Sequence, residues 1–572
     1  MMKQTFNLTT APWIRVFNSR TNREEEVSLI TLFEHAADYR QLAGEMRAQD
    51  LAILRLLLAI LTTVYSRVDV TSQSYPWLRS TTEVKHRWSS REQNKYLLKT
   101  WQHLYQDGHF SEAVTTYLHH WADRFDFLGE HPFYQVTLAD YNALVIDKNR
   151  ITEKKRGGQV AIRQLNRRIS ESGNSKAVFS PKAETAKNEA ALDELVRWLI
   201  MYQNYTGVTD KSVVKSAQKF AKSTGWLYEL NPVIAKGDSL FETLMLNLVL
   251  TNYGKAAKQC PVWEYDTVQA YIADRQAQQV PDNLAELYTT WSRILYIEWD
   301  EANHPTIFSA GIPIFSKNEV FLEPMTTWHI AKSGNLAGKL VPSRKALGFL
   351  DKAMWRNFGQ YVSLNQEDTV HEPRLVTWLR QLQAQEVIPW EKHINLMSIN
   401  LVPDDNKSSQ LPSAEVVENM QIRADVLFDD PAQSNYWPAQ IEQAIGYAHQ
   451  VGTDYYRFAV DICHIRNLKA KVFAPKLTNH FYDQLNEPFN KWLAGLTNDD
   501  ERSVKVNAWK QKLQKIALKS ANELMQSSTP RDMRGLMVDR NGKKQALNIF
   551  TAMGWLKYNV QTSLYSSTKR KG

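Results

Sequence analysis

Residues 148–182 read KNRITEKKRGGQVAIRQLNRRISESGNSKAVFSPK, and residues 191–207 read ALDELVRWLIMYQNYTG. The first segment holds ten Lys or Arg (Lys148, Arg150, Lys154, Lys155, Arg156, Arg163, Arg167, Arg168, Lys176, Lys182) against Glu153 and Glu171, a net +8. The whole chain of 572 residues also carries +8, so the remainder sums to about zero. Charge gathered in one place predicts a polyanionic partner, with nucleic acid the first candidate. Gly157-Gly158 and Ser172-Gly173-Asn174 exclude one continuous helix, so the segment is expected as a loop that orders against phosphates, a solvated surface loop being the alternative. The second segment turns helical. After a further basic run the stretch closes in TGWLYEL (224–230) and GDSLFETLMLNLVL (237–250), the latter a buried helix.

In that further run Lys211, Lys215, Lys219 and Lys222 are spaced 4, 4 and 3, which predicts one helical face of like charge. No acidic residue follows until Glu229. Unneutralised lysines at that spacing repel one another, which favours a surface for the phosphate backbone.

Working outward, the chain is too long for one core and is expected to hold two or three domains. Hydrophobic residues at 43% and charged residues at 23% are ordinary for a globular protein. Cys260 and Cys463 are the only cysteines, which excludes an all-cysteine zinc site and makes a disulfide framework unexpected. The start lacks a secretory pattern, and the apolar run LAILRLLLAILTTV from Leu51 is interrupted by Arg55 and short for a bilayer. A soluble, cytoplasmic protein without a membrane partner is expected.

Residues 6–33 read as short strands and turns. Residues 45–66 are apolar around nearly the whole circumference, which predicts a buried core helix. Residues 85–122 predict two amphipathic helices, and FDFLGEHPFYQV (125–136) a loop docked by aromatic anchors. LYTTWSRILYIEW (287–299) alternates as strands do, and GIPIFSKNEVFLEPMTTW (311–328) predicts strand–turn–strand with Lys317-Asn318 at the turn. Helices are expected near 343–362 and 373–384. HINLMSINLVPDDNKSSQLPSAEVVENM (393–420) reads as a long hairpin with a polar tip at Asp404–Gln410, or as a surface loop. From Tyr436 onward helical periodicity predicts four helices, near 436–465, 479–496, 501–526 and 542–565, hence a bundle. The chain is thus expected to be α+β: a mixed domain over 1–430 and a four-helix bundle over 431–572.

The chemistry of catalysis is not visible. There is no glycine-rich phosphate loop with Lys-Ser/Thr and no HExxH. His119-His120 and His131 lack companions at ligand spacing, and Cys463-His464 point apart on a helix. Neither a metal nor a cofactor is expected; the reading is a binding protein.

Taken in order, FNLTTAPWIRV, VSLITLFEHA, EHPFYQV, SGNSKAVFSP, ELVRWLIMYQNYTG, STGWLYEL, GDSLFETLMLNLVL, PVWE, LYTTWSRILYI and FLEPMTTW resemble the CasA family, the large subunits of type I-E CRISPR Cascade surveillance complexes. The resemblance implies a non-catalytic subunit that docks at the guide-RNA 5′ end, recognises the motif flanking a double-stranded DNA target, helps to open the duplex and recruits a helicase-nuclease. It implies as partners the guide CRISPR RNA and the backbone, 5′-end-capping and small subunits. The loop around Gly173–Phe179 would dock on the guide RNA and neighbouring subunits, with Arg163, Arg167, Arg168, Asn174, Lys176 and Phe179 as candidates. Tyr205, Thr206 and Gly207 stand where the family has a glycine-rich loop facing the minor groove, of which this chain keeps one glycine. Lys317 is the candidate for a minor-groove lysine, and Lys211, Lys215, Lys219 and Lys222 for the DNA backbone. Asn406, Lys407, Ser408, Ser409 and Gln410 stand where a hairpin wedges between base pairs. Some relatives carry a paired-cysteine zinc site, which this chain lacks. A scaffold that grips RNA and subunits without reading DNA is the rival reading.

Overall fold

The computed structural model describes residues 5–78, 88–154, 156–171, 180–207, 212–251, 259–277, 280–318, 323–344, 352–362, 370–403, 412–433, 435–540 and 542–566. The chain divides into two compact units. One comprises Met1–Leu347, Thr369–Leu379 and Leu396–Glu418, the other Gly348–Asp368, Arg380–Asn395 and Asn419–Gly572. The second unit thus draws in two segments that a single cut near 430 cannot assign.

The first unit is built around the helix Arg47–Tyr65, in which every residue from Ala48 onward is buried. Its length and composition alone would suit a membrane crossing, but its apolar circumference is covered by other helices of the unit: Glu112–His120, Leu192–Tyr205, Leu240–Asn247 and Leu284–Thr289. Each fully buried leucine or isoleucine contributes about 1.5–3 kcal/mol. Arg55 is the exception in the apolar run, and the structure explains it. Its guanidinium lies 2.8 Å from the Glu323 carboxylate and stacks 4.3 Å above the Tyr288 ring, with both charged side chains fully buried. Trp226 Nε1 donates to the same carboxylate at 2.6 Å. Three distant segments are therefore tied to one helix.

At the N-terminal edge Ile14–Asn18 pairs antiparallel with Arg23–Val27 and with Tyr39–Leu42. The apolar VSLITLFEHA does not continue as strand: Ser28 caps Thr31 and Leu29–Glu34 is helical. Helix Ser90–Asp107 opens on a Ser89/Glu92 capping box and ends at Gly108, whose φ of 74° is left-handed. In the loop 125–136, Phe125, Phe127, Phe133 and Tyr134 are buried anchors, as expected. LYTT is the end of the helix Leu284–Thr289, and only Arg293–Trp299 of that stretch is a strand, antiparallel to Pro305–Gly311. The strand–turn–strand expected at 311–328 is not formed among the described residues: Pro313 makes one bridge, to Lys222, and strand resumes only at Trp328. A helix near 343–362 is likewise reduced, among the described residues, to two short turns, Met354–Asn357 and Phe358–Tyr361. Arg374–Ala384 is helical as expected.

The hairpin reading holds. Strands His393–Pro403 and Pro412–Arg423 pair, and Val233–Lys236 adds a third strand beside the first. Alternation is visible in the buried Ile394 and Leu396 on one arm and Met420 and Ile422 on the other, while Ser398–Val402 is buried on both faces.

Among the described residues the second unit contains four long helices, Trp437–Ile465, Ala470–Ala494, Arg502–Gln526 and Ile549–Tyr565, the first packed on each of the others, besides shorter ones such as Pro530–Arg534. Asp429 fixes its entry: the buried carboxylate accepts Trp437 N–H at 2.8 Å and holds Arg502 at 3.2 Å. Stacked rings at Tyr455 and Phe481 (4.7 Å) and a Tyr455–Ser520 hydrogen bond at 2.8 Å join three of the helices. The fourth helix begins at Ile549 rather than 542, because Leu536–Arg540 and Lys543–Leu547 form a two-stranded antiparallel ribbon.

Candidate nucleic-acid interface

The basic segment is anchored by the buried Ile162, Leu165 and Ile169, and part of its charge is used inside the chain. Arg156 pairs with Glu298, Arg150 with Asp147 at 3.0 Å and Lys182 with Glu194 at 2.8 Å. Glu171, one of its two carboxylates, is buried 2.6 Å from Lys187. Lys148, Lys154, the half-buried Arg163 and the exposed Arg168 have no carboxylate partner among the described residues. Arg167 differs from them. It is buried, its guanidinium lies 5.3 Å from the Tyr202 ring, and desolvation lowers its pKa. Asn174, Lys176 and Phe179 lie outside the described residues.

Tyr205, Thr206 and Gly207 end the helix Leu192–Tyr205, and all three are buried. Two backbone hydrogen bonds zip this turn to the segment 225–227: Gly225 N–H donates to the Thr206 carbonyl and Leu227 N–H to the Asn204 carbonyl, both at 2.9 Å. A Cβ on Gly225 would stand 2.1 Å from the Asn204 oxygen and 2.6 Å from Tyr205 N. The close backbone approach here rests on a glycine eighteen positions after Gly207 in sequence (225 against 207). Arg293 completes the brace, donating from Nη2 to the Gly207 carbonyl at 2.6 Å; burial pulls its pKa down to about 10. Arg275 holds the other side, reaching Ser223 Oγ at 3.0 Å and the Pro313 carbonyl at 2.9 Å. The side chains of Tyr205 and Thr206 thus face the interior.

Lys317 also points inward. Its Nζ donates to the carbonyls of Gly225 at 2.7 Å and Tyr228 at 3.1 Å, and burial followed by the nearby Arg344 charge pulls its pKa down to about 7. It supports the zipped segment from behind.

The lysine run is not helical. Among described residues, Val213 bridges Gly311, Val214 bridges Val145 and Lys222 bridges Pro313, with a bend at Ala217-Gln218 between them, so Lys215, Lys219 and Lys222 share no helical face. β-Branched Val213 and Val214 favour such bridges, and spacing between charges carries no burial to set a helical face. Lys215 Nζ donates to the Ala143 carbonyl at 3.2 Å, the Lys222 stem lies against Gly311, and Lys219 is exposed. Lys211 lies outside the described residues.

Asn406, Lys407, Ser408, Ser409 and Gln410 also lie outside them, at the end of the two described arms. The arms are firmly based. Ile399 N–H donates to the Pro232 carbonyl at 3.1 Å, and Glu415 Oε1 accepts Ala48 N–H at 2.7 Å. Glu415 thereby caps the core helix, whose own N-cap Met46 supplies no side-chain bond. Its charge also raises the pKa of the buried Tyr205 hydroxyl, after desolvation. Neither Gly225 nor Glu415 was singled out by sequence reasoning. The glycine in TGWLYEL was the available signal for the first, and the second had none.

Among the described residues no group of three His, Cys, Asp or Glu side chains is placed to hold a metal ion.

Against known proteins, residues 7–520 match the family model described as CRISPR-associated protein Cse1. Among curated protein sequences none matches. The fold is similar to that of Thermobifida fusca Cse1, with a TM-score of 0.75 and 21% identity over 98% of each chain. It is also similar to Cse1 from Acidimicrobium ferrooxidans, with a TM-score of 0.70 and 19% identity over 99% of this chain and 98% of that one. A chain of a CRISPR RNA-guided surveillance complex matches with a TM-score of 0.66 and 14% identity over 97% of this chain and 99% of that one. With the family model spanning most of its length and these folds nearly all of it, the chain belongs to the Cse1 family of CRISPR-associated proteins.

Proposed function

We propose that this chain is a non-catalytic subunit of a CRISPR RNA-guided surveillance complex that reads the short motif beside a DNA target, helps to open the duplex and recruits the helicase-nuclease. The observation that carries the reading is the hairpin 393–423 with its arms tied to the core helix through Glu415 and Ala48. A tip that separates base pairs needs a base that does not yield, and a capped, wholly buried helix provides one. The neighbouring turn at Tyr205–Gly207 is held by Gly225, Arg293 and, behind them, Lys317. With its side chains inward, the turn would offer backbone rather than side chains to a groove.

The scheme is physically consistent. Guide pairing reads sequence while the protein reads a flank and duplex shape. The minor groove carries a degenerate code, so related flanks are tolerated. An inserted wedge costs a few kcal/mol of unstacking, which phosphate contacts from Lys215, Lys219, Lys222 and the basic loop offset. Arg163 and Arg168 remain the loop's candidates for guide-RNA docking. The matching chain in a surveillance complex supports assembly with guide RNA and further subunits.

The test uses the assembled complex and a target duplex carrying 2-aminopurine beside the flank. Replacing Asn406 and Gln410 by Ala should leave assembly intact and suppress the fluorescence rise of strand opening. An unchanged rise would favour a scaffold that holds RNA and subunits only.

A further inference from the structure

The charge of this chain is concentrated twice. From Thr529 to Gly572 nine Lys or Arg stand against Asp532 and Asp539, a net +7 over a segment lying beyond residue 520, where the family match ends. Asp532 is already committed to Arg466 at 3.2 Å. Three of the cations, Lys569, Arg570 and Lys571, lie outside the described residues; Arg531 and Arg534 stand on the short helix Pro530–Arg534, and the other four are carried by the two elements that follow it.

The first is the ribbon Leu536–Arg540/Lys543–Leu547. Its register sets Lys543 beside the turn and Lys544 opposite Asp539. Lys543 and Lys544 are exposed and have no carboxylate partner among the described residues. Leu536 and Met537 are both exposed although adjacent, Met537 at 63%, so neither face of this strand is covered. The second is the helix Ile549–Tyr565, which follows directly. Ile549, Ala552, Met553, Leu556, Val560 and Leu564 bury one side. The opposite side displays Phe550 (55% exposed), Lys557, Tyr558 (71%) and Tyr565 (42%). At 3.6 residues per turn these four fall within an arc of roughly 100°, spread along about 22 Å of helix. Tyr565 and Gln561 meet Gln514 of the helix Arg502–Gln526, which presents Lys512, Lys515 and Lys519 to solvent.

Aromatic rings left in water on a face ringed by unpaired cations need a partner that is both anionic and able to stack. A duplex offers charge but keeps its bases stacked inside; a single strand offers both. We propose that the exposed face of Ile549–Tyr565, with the ribbon tip, is a single-stranded nucleic-acid platform on which Phe550, Tyr558 and Tyr565 stack bases and Lys543, Lys544 and Lys557 hold phosphates. Nothing in this site reads base identity, so binding is sequence-tolerant and strongly salt-dependent.

The experiment measures fluorescence anisotropy of the full chain with fluorescein-labelled oligo(dT) of about 20 nucleotides, and separately with a duplex of that length. The variants are F550A/Y558A/Y565A and K543A/K544A. The aromatic variant should bind oligo(dT) about tenfold more weakly while duplex binding stays within about twofold, because only unpaired bases stack. The lysine variant should weaken both and flatten the salt slope by about one to two. If the aromatic variant melts early, Y558A alone decides, since this ring is the most exposed. Unchanged oligo(dT) affinity overturns the platform. So does an equal loss for duplex, or unchanged affinity with a lost dimer in light scattering, which would make the face a protein contact.

Discussion

Replacing Gly225 by Ala is the sharpest test of how the turn at Tyr205–Gly207 is held. The new Cβ would meet the Asn204 oxygen at 2.1 Å, the Asn204 carbonyl carbon at 2.2 Å and Tyr205 N at 2.6 Å. All three are backbone atoms at the end of a buried helix, so no side chain can swing away. The segment must move outward, which breaks the 2.9 Å bonds Gly225–Thr206 and Leu227–Asn204 and strips Lys317 of an acceptor. Two buried backbone bonds at about 1 kcal/mol each, with overpacking at about 1–3 kcal/mol, give a loss of about 3–5 kcal/mol. That is a large fraction of the stability of an ordinary domain. Urea denaturation followed by tryptophan fluorescence measures it, with Trp226 beside the substitution. Gly446→Ala is the control: this helical glycine has nothing within 4 Å of a Cβ and should gain about 0.5–1 kcal/mol. A Gly225→Ala protein within about 1 kcal/mol of the parent would refute the zipped turn.

Glu323→Ala should cost about 3–5 kcal/mol by leaving Arg55 buried without its partner and Trp226 Nε1 without an acceptor, whereas Arg55→Met with Glu323→Leu should cost less; thermal melting of both proteins checks this. Asp50 is buried, and desolvation raises its pKa from 3.8 to about 6, with Gly44 N–H and Arg47 opposing. Its folded pKa exceeds its unfolded one, so its contribution is present below about pH 4 and fades as pH rises through 6; Asp50→Asn should flatten stability against pH in that window, by up to about 3 kcal/mol. Replacing Lys211, Lys215, Lys219 and Lys222 by Ala should weaken duplex binding across sequences and make the salt slope shallower, read from anisotropy titrations at several salt concentrations.

What the sequence disclosed follows from where burial sets a pattern. The helix 47–65 is apolar all round, the loop 125–136 is pinned by four aromatic rings, and the hairpin arms alternate at Ile394/Leu396 and Met420/Ile422, so all three were legible. The bundle was legible too, except that GKKQAL (542–547) was taken into its fourth helix; the Asn541-Gly542 pair between two short runs was the overlooked hairpin signal. Charge spacing misled where burial did not support it, as at Lys215, Lys219 and Lys222, which lie on no helix. The basic segment 148–182 was visible as charge, but Glu298, Glu194 and Asp147 lie outside it and engage three of its cations. Lys317 shows the limit most directly: its acceptors, Gly225 and Tyr228, lie about ninety residues away, and no local pattern announces an inward lysine.

The central claim is that this chain makes DNA binding depend on the flank of the target. The direct measurement is a gel shift of the guide-RNA complex lacking this subunit, before and after adding it, on duplexes that differ only in the base pairs beside the guide-matched region. The account predicts tighter binding for some flanks and not others. Equal tightening for every flank would reduce the chain to an electrostatic grip, and no tightening at all would contradict its proposed role in DNA recognition.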